Sequence, residues 1–161
     1  MQQKITPNLW FDTEAEEAAD FYTSIFKNSR IVHVAHYTET GPRPAGTVMI
    51  VEFELDGQRF VGINGGPQFK FDEALSFQIK CETQDEVDYY WERLSDGGKE
   101  GQCGWLKDRY GLSWQVTPTG VQELFAGTDP QRAERAMKAM LGMGKLDIAA
   151  LRSAADGVPA A

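Results

Sequence analysis

Alternating hydrophobic and polar positions followed by a helix-start signal occur twice in this chain. Residues 5–16 (ITPNLWFDTEAE) and residues 75–86 (LSFQIKCETQDE) each read as a strand that runs into a Thr-x-x-Glu motif. In this motif the Thr hydroxyl accepts a hydrogen bond from the third helical N–H, and the Glu reaches back to the start of the helix. Thr13 and Thr83 are 70 positions apart, as are the two strand starts. The pattern therefore predicts a duplicated strand–helix unit.

The rest of the pattern completes each unit. In the first unit we predict a helix at 13–26 and strands at 30–37, 48–55 and 58–64. In the second unit we predict a helix at 83–96 and strands at 99–103, 105–108 and 112–118. Asp56-Gly57 is a strong hairpin signal. Asp129-Pro130 begins a helix with one apolar stripe, and residues 147–155 can form another. The predicted fold is α+β: βαβββ modules at 1–66 and 67–119, the second shortened, and a C-terminal helical extension at 120–161.

Alternation also divides each strand between two faces. One face is apolar and is predicted to pack beneath the helices, and we assign Val61 and Ile63 to it. The opposite face carries polar and aromatic side chains. It is either exposed to solvent on an open sheet or, if the sheet curls, the wall of a cleft. Trp10 and Trp105 favour the cleft, since a Trp facing solvent is uncommon. The predicted substrate-binding residues are Asn8, Trp10, Asn64, Ser76, Gln78, Trp105 and Gln115.

Composition narrows the class of protein. The 161 residues carry a formal charge of −8, with a pI of about 4.8, which argues against nucleic-acid binding. The N-terminus lacks the basic start and apolar run of a signal peptide, and no apolar run approaches about 18 residues, so we expect no membrane association. Cys81 and Cys103 have neither CxxC spacing nor a disulfide framework. A cytoplasmic location is the simplest expectation.

Several segments resemble one known family. They are residues 5–26, 56–66, 75–81, 137–157 and, most specifically, CGWLKDRYGLSWQV at 103–116. The chain resembles the vicinal oxygen chelate superfamily of glyoxalase I, extradiol dioxygenases and bleomycin-resistance proteins. Within it, the resemblance is to the PhnB-like branch, often labelled 3-demethylubiquinone-9 3-methyltransferase. The resemblance implies a cupped, eight-stranded mixed sheet that encloses a small-molecule cleft.

The resemblance also implies where a metal would bind. Enzymes of the superfamily hold a divalent metal with His, Glu or Gln side chains from four strands. By position these places fall near Thr6 or Asn8, Gly62 or Asn64, Ala74 or Ser76, and Gln115. Only Gln115 has a plausible ligand side chain, and amides and hydroxyls alone bind such metals too weakly. We therefore expect no metal site and no cofactor, although a weakly bound divalent metal remains compatible with the sequence.

Three further sets of residues each offer a chemical role and a structural alternative. His33 and His36 are three apart in a strand, so they face opposite ways and cannot share an ion without a bulge. Glu52, two residues from Glu54 on the same face, is a weak candidate for a general base, and the alternative is a solvated carboxylate. Cys103 is either a reactive thiol or a small buried side chain.

The methyltransferase label has no support from sequence motifs. The usual S-adenosylmethionine site needs a strand, a Gly-rich turn and a helix, and Gly65-Gly66-Pro67 lacks both the spacing and the helix.

We expect a small-molecule-binding protein of the PhnB-like branch, with its activity unassigned. The alternatives are a metal-dependent lyase, isomerase or dioxygenase with atypical ligands, and a drug-sequestering binder whose acidic aromatic cleft suits a cation. We also expect a homodimer, because the stripe of the tail helix and the edge strands need a partner. The alternative is that the tail packs on its own chain.

Overall fold

The structure is a computed structural model that describes residues 4–126 and 129–158. The chain divides into two compact units between Phe71 and Asp72. Phe71 and Phe69 belong to the first unit because their rings contact Phe11 at 5.4 Å and Trp10 at 5.1 Å. The extension falls in the second unit. Residues 1–3, 127–128 and 159–161 of the predicted modules and extension lie outside the described residues.

The first unit is a βαβββ module. Its elements are β1 (Asn8–Phe11), α1 (Ala15–Ile25), β2 (Arg30–His36), β3 (Val48–Leu55) and β4 (Gln58–Asn64). The strand order is β1-β4-β3-β2, with β1 parallel to β4 and the other pairs antiparallel. The Asp56-Gly57 hairpin is confirmed, with φ values of 46° and 77° at these two residues.

The second unit repeats this topology and adds helices. Its elements are β5 (Ser76–Cys81), α2 (Gln84–Ser95), β6 (Lys99–Glu100), β7 (Trp105–Lys107), β8 (Ser113–Pro118), α3 (Val121–Ala126), α4 (Pro130–Leu141) and α5 (Ile148–Ala155). The order β5-β8-β7-β6 matches that of the first sheet, again with one parallel pair. The described residues thus form two four-stranded mixed sheets, and the α+β class and the duplicated module are confirmed.

The two predicted capping boxes have different outcomes. At α2, the Thr83 hydroxyl accepts from the Glu86 N–H at 3.2 Å, and the Glu86 carboxylate accepts from the Glu82 N–H at 2.7 Å. At α1 the predicted box is wrong, because Glu14 is the N-cap and makes no side-chain cap. A distant residue caps α1 instead, and it belongs to β4.

The faces of β4 are the reverse of the prediction. Phe60 and Gly62 lie on the buried face, whereas Val61 and Ile63 lie on the half-exposed one. A Cβ added at Gly62 would lie 3.1 Å from the Ala15 Cβ, so the glycine lets α1 approach the sheet closely. The buried face of β4 thus combines the large Phe60 with a glycine that makes room for α1, and alternation of hydrophobic residues does not reveal the second requirement.

The extension contributes its own core to the second unit. Val121, Leu124, Ala136, Leu146, Leu151 and Ala155 form one buried cluster. The short helix α3, which begins this cluster, was not predicted. Cys81 lies buried under α2, and this burial raises the pKa of its thiol to about 12. Across the part of the chain that is described, no helix is long and apolar enough to cross a membrane.

Candidate functional site

The strand register brings four predicted binding residues to one face of the second sheet. Trp105 on β7 and Gln78 on β5 both pair with Gln115 on β8. Ser76 on β5 pairs with Ser113 on β8. Paired residues of neighbouring strands point to the same side, so Ser76, Gln78, Trp105 and Gln115 share a face. We name this surface the second-sheet face.

The opposite side of the same sheet is apolar and lies under α2. Phe77 and Trp114 pair across β5 and β8, and their ring centroids are 5.7 Å apart. Trp114 is 3% exposed, whereas Trp105 is half-buried. The period-2 reading of these strands is therefore confirmed.

Hydrogen bonds within the second-sheet face orient its amides. Gln115 Nε2 donates to Ser76 Oγ at 2.8 Å, and Gln78 Nε2 donates to Thr117 Oγ1 at 3.4 Å. Both bonds join β8 to β5 across the parallel pair, and the shorter of them is the bond of Gln115. It holds the Gln115 amide in one orientation beside the Trp105 position.

A cavity of about 480 Å³ opens on this face. Its walls include Glu73, Lys99, Gly101, Trp105, Lys107 and Ser113. This volume lies within the usual range for small-molecule pockets. An indole ring beside amide, hydroxyl and ammonium groups can combine apolar contact with hydrogen bonding.

Two lysines of this cavity were missed by the sequence reasoning. Lys107 Nζ lies 2.8 Å from Glu73 Oε1, and this hydrogen-bonded ammonium, helped by the charge of Lys99, holds the pKa of the Glu73 carboxyl below its usual value. Lys107 is two residues after Trp105 on β7, so alternation alone could have placed it on this face. To place Lys99 on this face requires the pairing of β6 with β7, which the sequence pattern does not show.

The turn after β7 is built around Asp108, another residue that was not predicted. Its Oδ1 accepts from the Tyr110 and Leu112 N–H groups at 2.9 and 3.1 Å. Its Oδ2 accepts from the Trp114 indole at 2.8 Å. The carboxylate is 2% exposed. These bonds fix the turn between β7 and β8 and hence the position of Lys107.

In the first unit, Asn8, Trp10 and Glu52 share a sheet face. Asn8 and Glu52 both pair with Val61, and Trp10 pairs with Ile63. The Trp10 indole donates to the Gly66 carbonyl at 2.8 Å, and its ring meets Phe69 edge-on. Trp10 therefore anchors the segment that follows β4.

Glu52, the weak candidate for a general base, belongs to an ion-pair network. The Arg59 guanidinium lies 3.4 Å from the Glu52 carboxylate and 2.8 Å from that of Glu54. Arg30 adds a second contact to Glu54 at 3.0 Å. The network gives both carboxylates a structural role on the sheet surface.

Asn64 lies on the other face and caps α1. Its Oδ1 accepts from the Ala15 N–H at 2.8 Å, and its Nδ2 donates to the Val48 carbonyl at 3.1 Å. The Tyr37 hydroxyl donates to the Asn64 carbonyl at 2.7 Å. Because Asn64 is 4% exposed and both ends of its amide are bonded internally, its side chain serves the fold of the first unit.

The two histidines lie on one face, contrary to the expectation from their spacing. Register irregularities between Ile31 and His33 and between Ala35 and His36 pair His33 with Glu52 and His36 with Val48. Within residues 4–126 and 129–158, no three His, Cys, Asp or Glu side chains converge as a metal site would require.

The positions that correspond to the superfamily's metal ligands do not fit a divalent metal. Asn8 Nδ2 donates to the Thr6 carbonyl, Gly62 has no side chain, and Ser76 and Gln115 bond to each other. These donors are neutral amides and hydroxyls, which do not hold a first-row divalent metal on their own.

The paired βαβββ modules with identical strand order define a protein of the vicinal oxygen chelate fold. The model of the 3-demethylubiquinone-9 3-methyltransferase family matches residues 3–117. The chain belongs to this family, which is the PhnB-like branch of the superfamily. The C-terminal extension lies outside the match.

Among similar solved structures, the first supports this assignment and the second shares the fold alone. The chain is 40% identical to a PhnB protein from Bacillus cereus, with a TM-score of 0.67, and the likeness covers 73% of this chain and 100% of that one. A protein from Pseudomonas aeruginosa is 17% identical, with a TM-score of 0.60 over 73% of this chain and 98% of that one.

A more distant structure shares the fold alone. The fosfomycin resistance protein FosX from Listeria monocytogenes is 13% identical, with a TM-score of 0.51 over 76% of this chain and 98% of that one. No curated protein matches the chain significantly.

Proposed function

We propose that this PhnB-like protein binds a small molecule on the second-sheet face. The observation that carries the proposal is the 480 Å³ cavity, whose walls include Trp105 and Ser113. It opens on the sheet face that Trp105 shares with Ser76 and Gln115. The indole offers a flat apolar surface, and the amide and hydroxyl groups offer directional hydrogen bonds. Pockets for small ligands commonly combine these features.

We assign no reaction to the site. Glu52 is engaged with Arg59, and the second-sheet face supplies amides, hydroxyls and ammonium groups. The methyltransferase in the family's name would need a doubly wound parallel sheet for the usual mode of S-adenosylmethionine binding. The sheets formed by the described residues are four-stranded and mixed.

The proposal extends to the protein's requirements and state. We propose that it works without a tightly bound metal or cofactor, because the corresponding positions lack suitable donors. A homodimer and a cytoplasmic location stay predictions from the sequence.

The test uses the Trp105 indole N–H as a reporter in ¹⁵N-labelled protein, assigned by the loss of its NMR signal in Trp105→Phe. Fragments that bind the site should shift this signal, and Gln115→Ala should weaken their binding at least about tenfold, equivalent to about 1.4 kcal/mol. Gln131→Ala, an exposed change on α4, is the matched control. Fragments that bind without shifting the Trp105 signal, or equally well to Gln115→Ala, would contradict the proposal.

A further inference from the structure

We propose that the ligand of the second-sheet face is an anion on a flat apolar body, with Lys99 and Lys107 beside the anionic group and Trp105 beside the body. This inference rests on the proposed function and specifies the class of ligand. It differs from the cationic ligand that an acidic cleft would have favoured.

Two lysines lie opposite each other on neighbouring strands of the second sheet. Lys99 of β6 pairs directly with Lys107 of β7, so both side chains project from the same face. Like charges directly opposite each other on neighbouring strands destabilise a sheet. An anion placed between them would relieve that repulsion. Glu73 compensates part of this repulsion within the chain, and an anion beside both ammonium groups would compensate more of it.

Two carboxylates near the cavity, those of Glu73 and Glu100, could compensate the charges of the lysines. Glu73 pairs with Lys107 at 2.8 Å. Glu100 also lines the cavity. It pairs with Leu106, however, which places its side chain on the helix-covered side, and its carboxylate accepts from the Trp91 indole at 2.9 Å. Among these four charged residues of the cavity, the Glu73 carboxylate therefore lies beside the two ammonium groups of the sheet face, whereas the Glu100 carboxylate is bonded on the opposite side.

The lysines of this face contrast with the acidic composition of the chain as a whole. The protein carries a formal charge of −8, yet Lys80, Lys99 and Lys107 lie on this one sheet face. A local positive potential within an acidic protein attracts anions and repels cations at short range. The Trp105 ring and the neighbouring Ser113 hydroxyl complete a site for an anionic group attached to an aromatic or other flat body.

The experiment titrates three probes that share one ring: benzoate, phenyl phosphate and benzylammonium. Binding is read from the Trp105 indole signal of the intact protein. We expect both anions to bind at least about fivefold more tightly than benzylammonium, and added NaCl to weaken the anions. The ratio of benzoate to phenyl phosphate affinity then distinguishes a carboxylate from a phosphate ester as the preferred group.

Lys99→Gln and Lys107→Gln should each weaken anion binding several-fold, whereas Lys138→Gln on α4 makes the same charge change outside the cavity and should not. Tighter binding of benzylammonium than of both anions would overturn the inference and leave the proposed function intact. Equal losses in Lys99→Gln and Lys138→Gln would also overturn it. No shift with any of the three probes would contradict the inference and the proposed function together.

Discussion

Gln84 is hydrogen-bonded on both sides of Asp147, which joins α2 to the linker between α4 and α5. Its Nε2 donates to the Leu146 carbonyl at 3.1 Å, and its Oε1 accepts from the Ile148 N–H at 2.9 Å. The Leu146 side chain packs at Gly104, where an added Cβ would lie 3.1 Å from Leu146 Cδ1. The extension is thereby tied to the module that carries the second-sheet face.

Backbone hydrogen bonds extend this connection to the strand that carries Trp105. The Cys103 N–H donates to the Met143 carbonyl and the Gly104 N–H to the Gly144 carbonyl, both at 2.8 Å. These two amides immediately precede β7. The extension therefore sets the position at which the cavity wall begins.

Replacing Gln84 with alanine should loosen the extension. The change leaves the Leu146 carbonyl and the Ile148 N–H without their side-chain partner. Because both groups are only partly buried, the loss should lie at the lower end of the about 1–3 kcal/mol that an unsatisfied buried polar group costs. Urea unfolding should show that loss, and hydrogen exchange should accelerate at Cys103 and Gly104. Gln122→Ala, an exposed glutamine on α3, should change neither. Unaltered exchange at Cys103 and Gly104 in Gln84→Ala would refute the connection.

Replacing Gly65 with alanine should destabilise the first unit. The new Cβ would lie 2.1 Å from Trp10 Cζ2, and overpacking of this kind costs about 1–3 kcal/mol. Gly120→Ala is the matched control, because its nearest neighbour is Arg152 Nη2 at 3.7 Å. Thermal unfolding measures both variants.

A double-mutant cycle assigns the Gly65 effect to Trp10. In a Trp10→Ala background the added methyl group should cost little, since the ring it meets is gone. If Gly65→Ala costs as much without the ring as with it, the contact does not explain why glycine is needed there.

The sequence predicts the positions of the strands better than it predicts the roles of individual side chains. β3 and β4 have the predicted bounds because alternation and the Asp56-Gly57 turn are local signals. The roles of Gly62 and Asn64 depend on α1 lying against β4, a long-range contact that alternation within one strand does not encode. The same holds for the histidines, whose shared face arises from irregular pairing with β3.

The candidate site was predicted in part for the same reason. Ser76, Gln78, Trp105 and Gln115 follow from period-2 alternation within β5, β7 and β8. Lys99 follows only from pairing between β6 and β7, because β6 is two residues long and has no alternation of its own.

The purified protein should contain well below one equivalent of Zn, Ni, Mn or Fe per chain. The reason is the amide and hydroxyl character of the positions that correspond to metal ligands in the superfamily. Elemental analysis after purification without chelator measures the content. A full equivalent that disappears in Gln115→Ala would show that the site does hold a metal.

The predicted homodimer should depend on the outer face of α4. Ala136 and Met140 pack into the core of the extension, which accounts for one side of the stripe within the chain. Met137 and Leu141, four residues apart, are 41% and 61% exposed. Met137→Glu with Leu141→Glu should convert the dimer to a monomer in light scattering and leave the circular dichroism unchanged. A dimer that survives both changes would place the interface elsewhere.

The most direct test of the ligand site is a crystallographic soak of the full chain with small aromatic carboxylates. We predict ligand density over the Trp105 ring, between Lys107 and Gln115, in the 480 Å³ cavity. A second cavity of about 250 Å³, beside Thr119 and Arg152, serves as the control site in the same crystals. Fragments that occupy this second cavity and leave the Trp105 ring bare would contradict the assignment of the second-sheet face as the binding site.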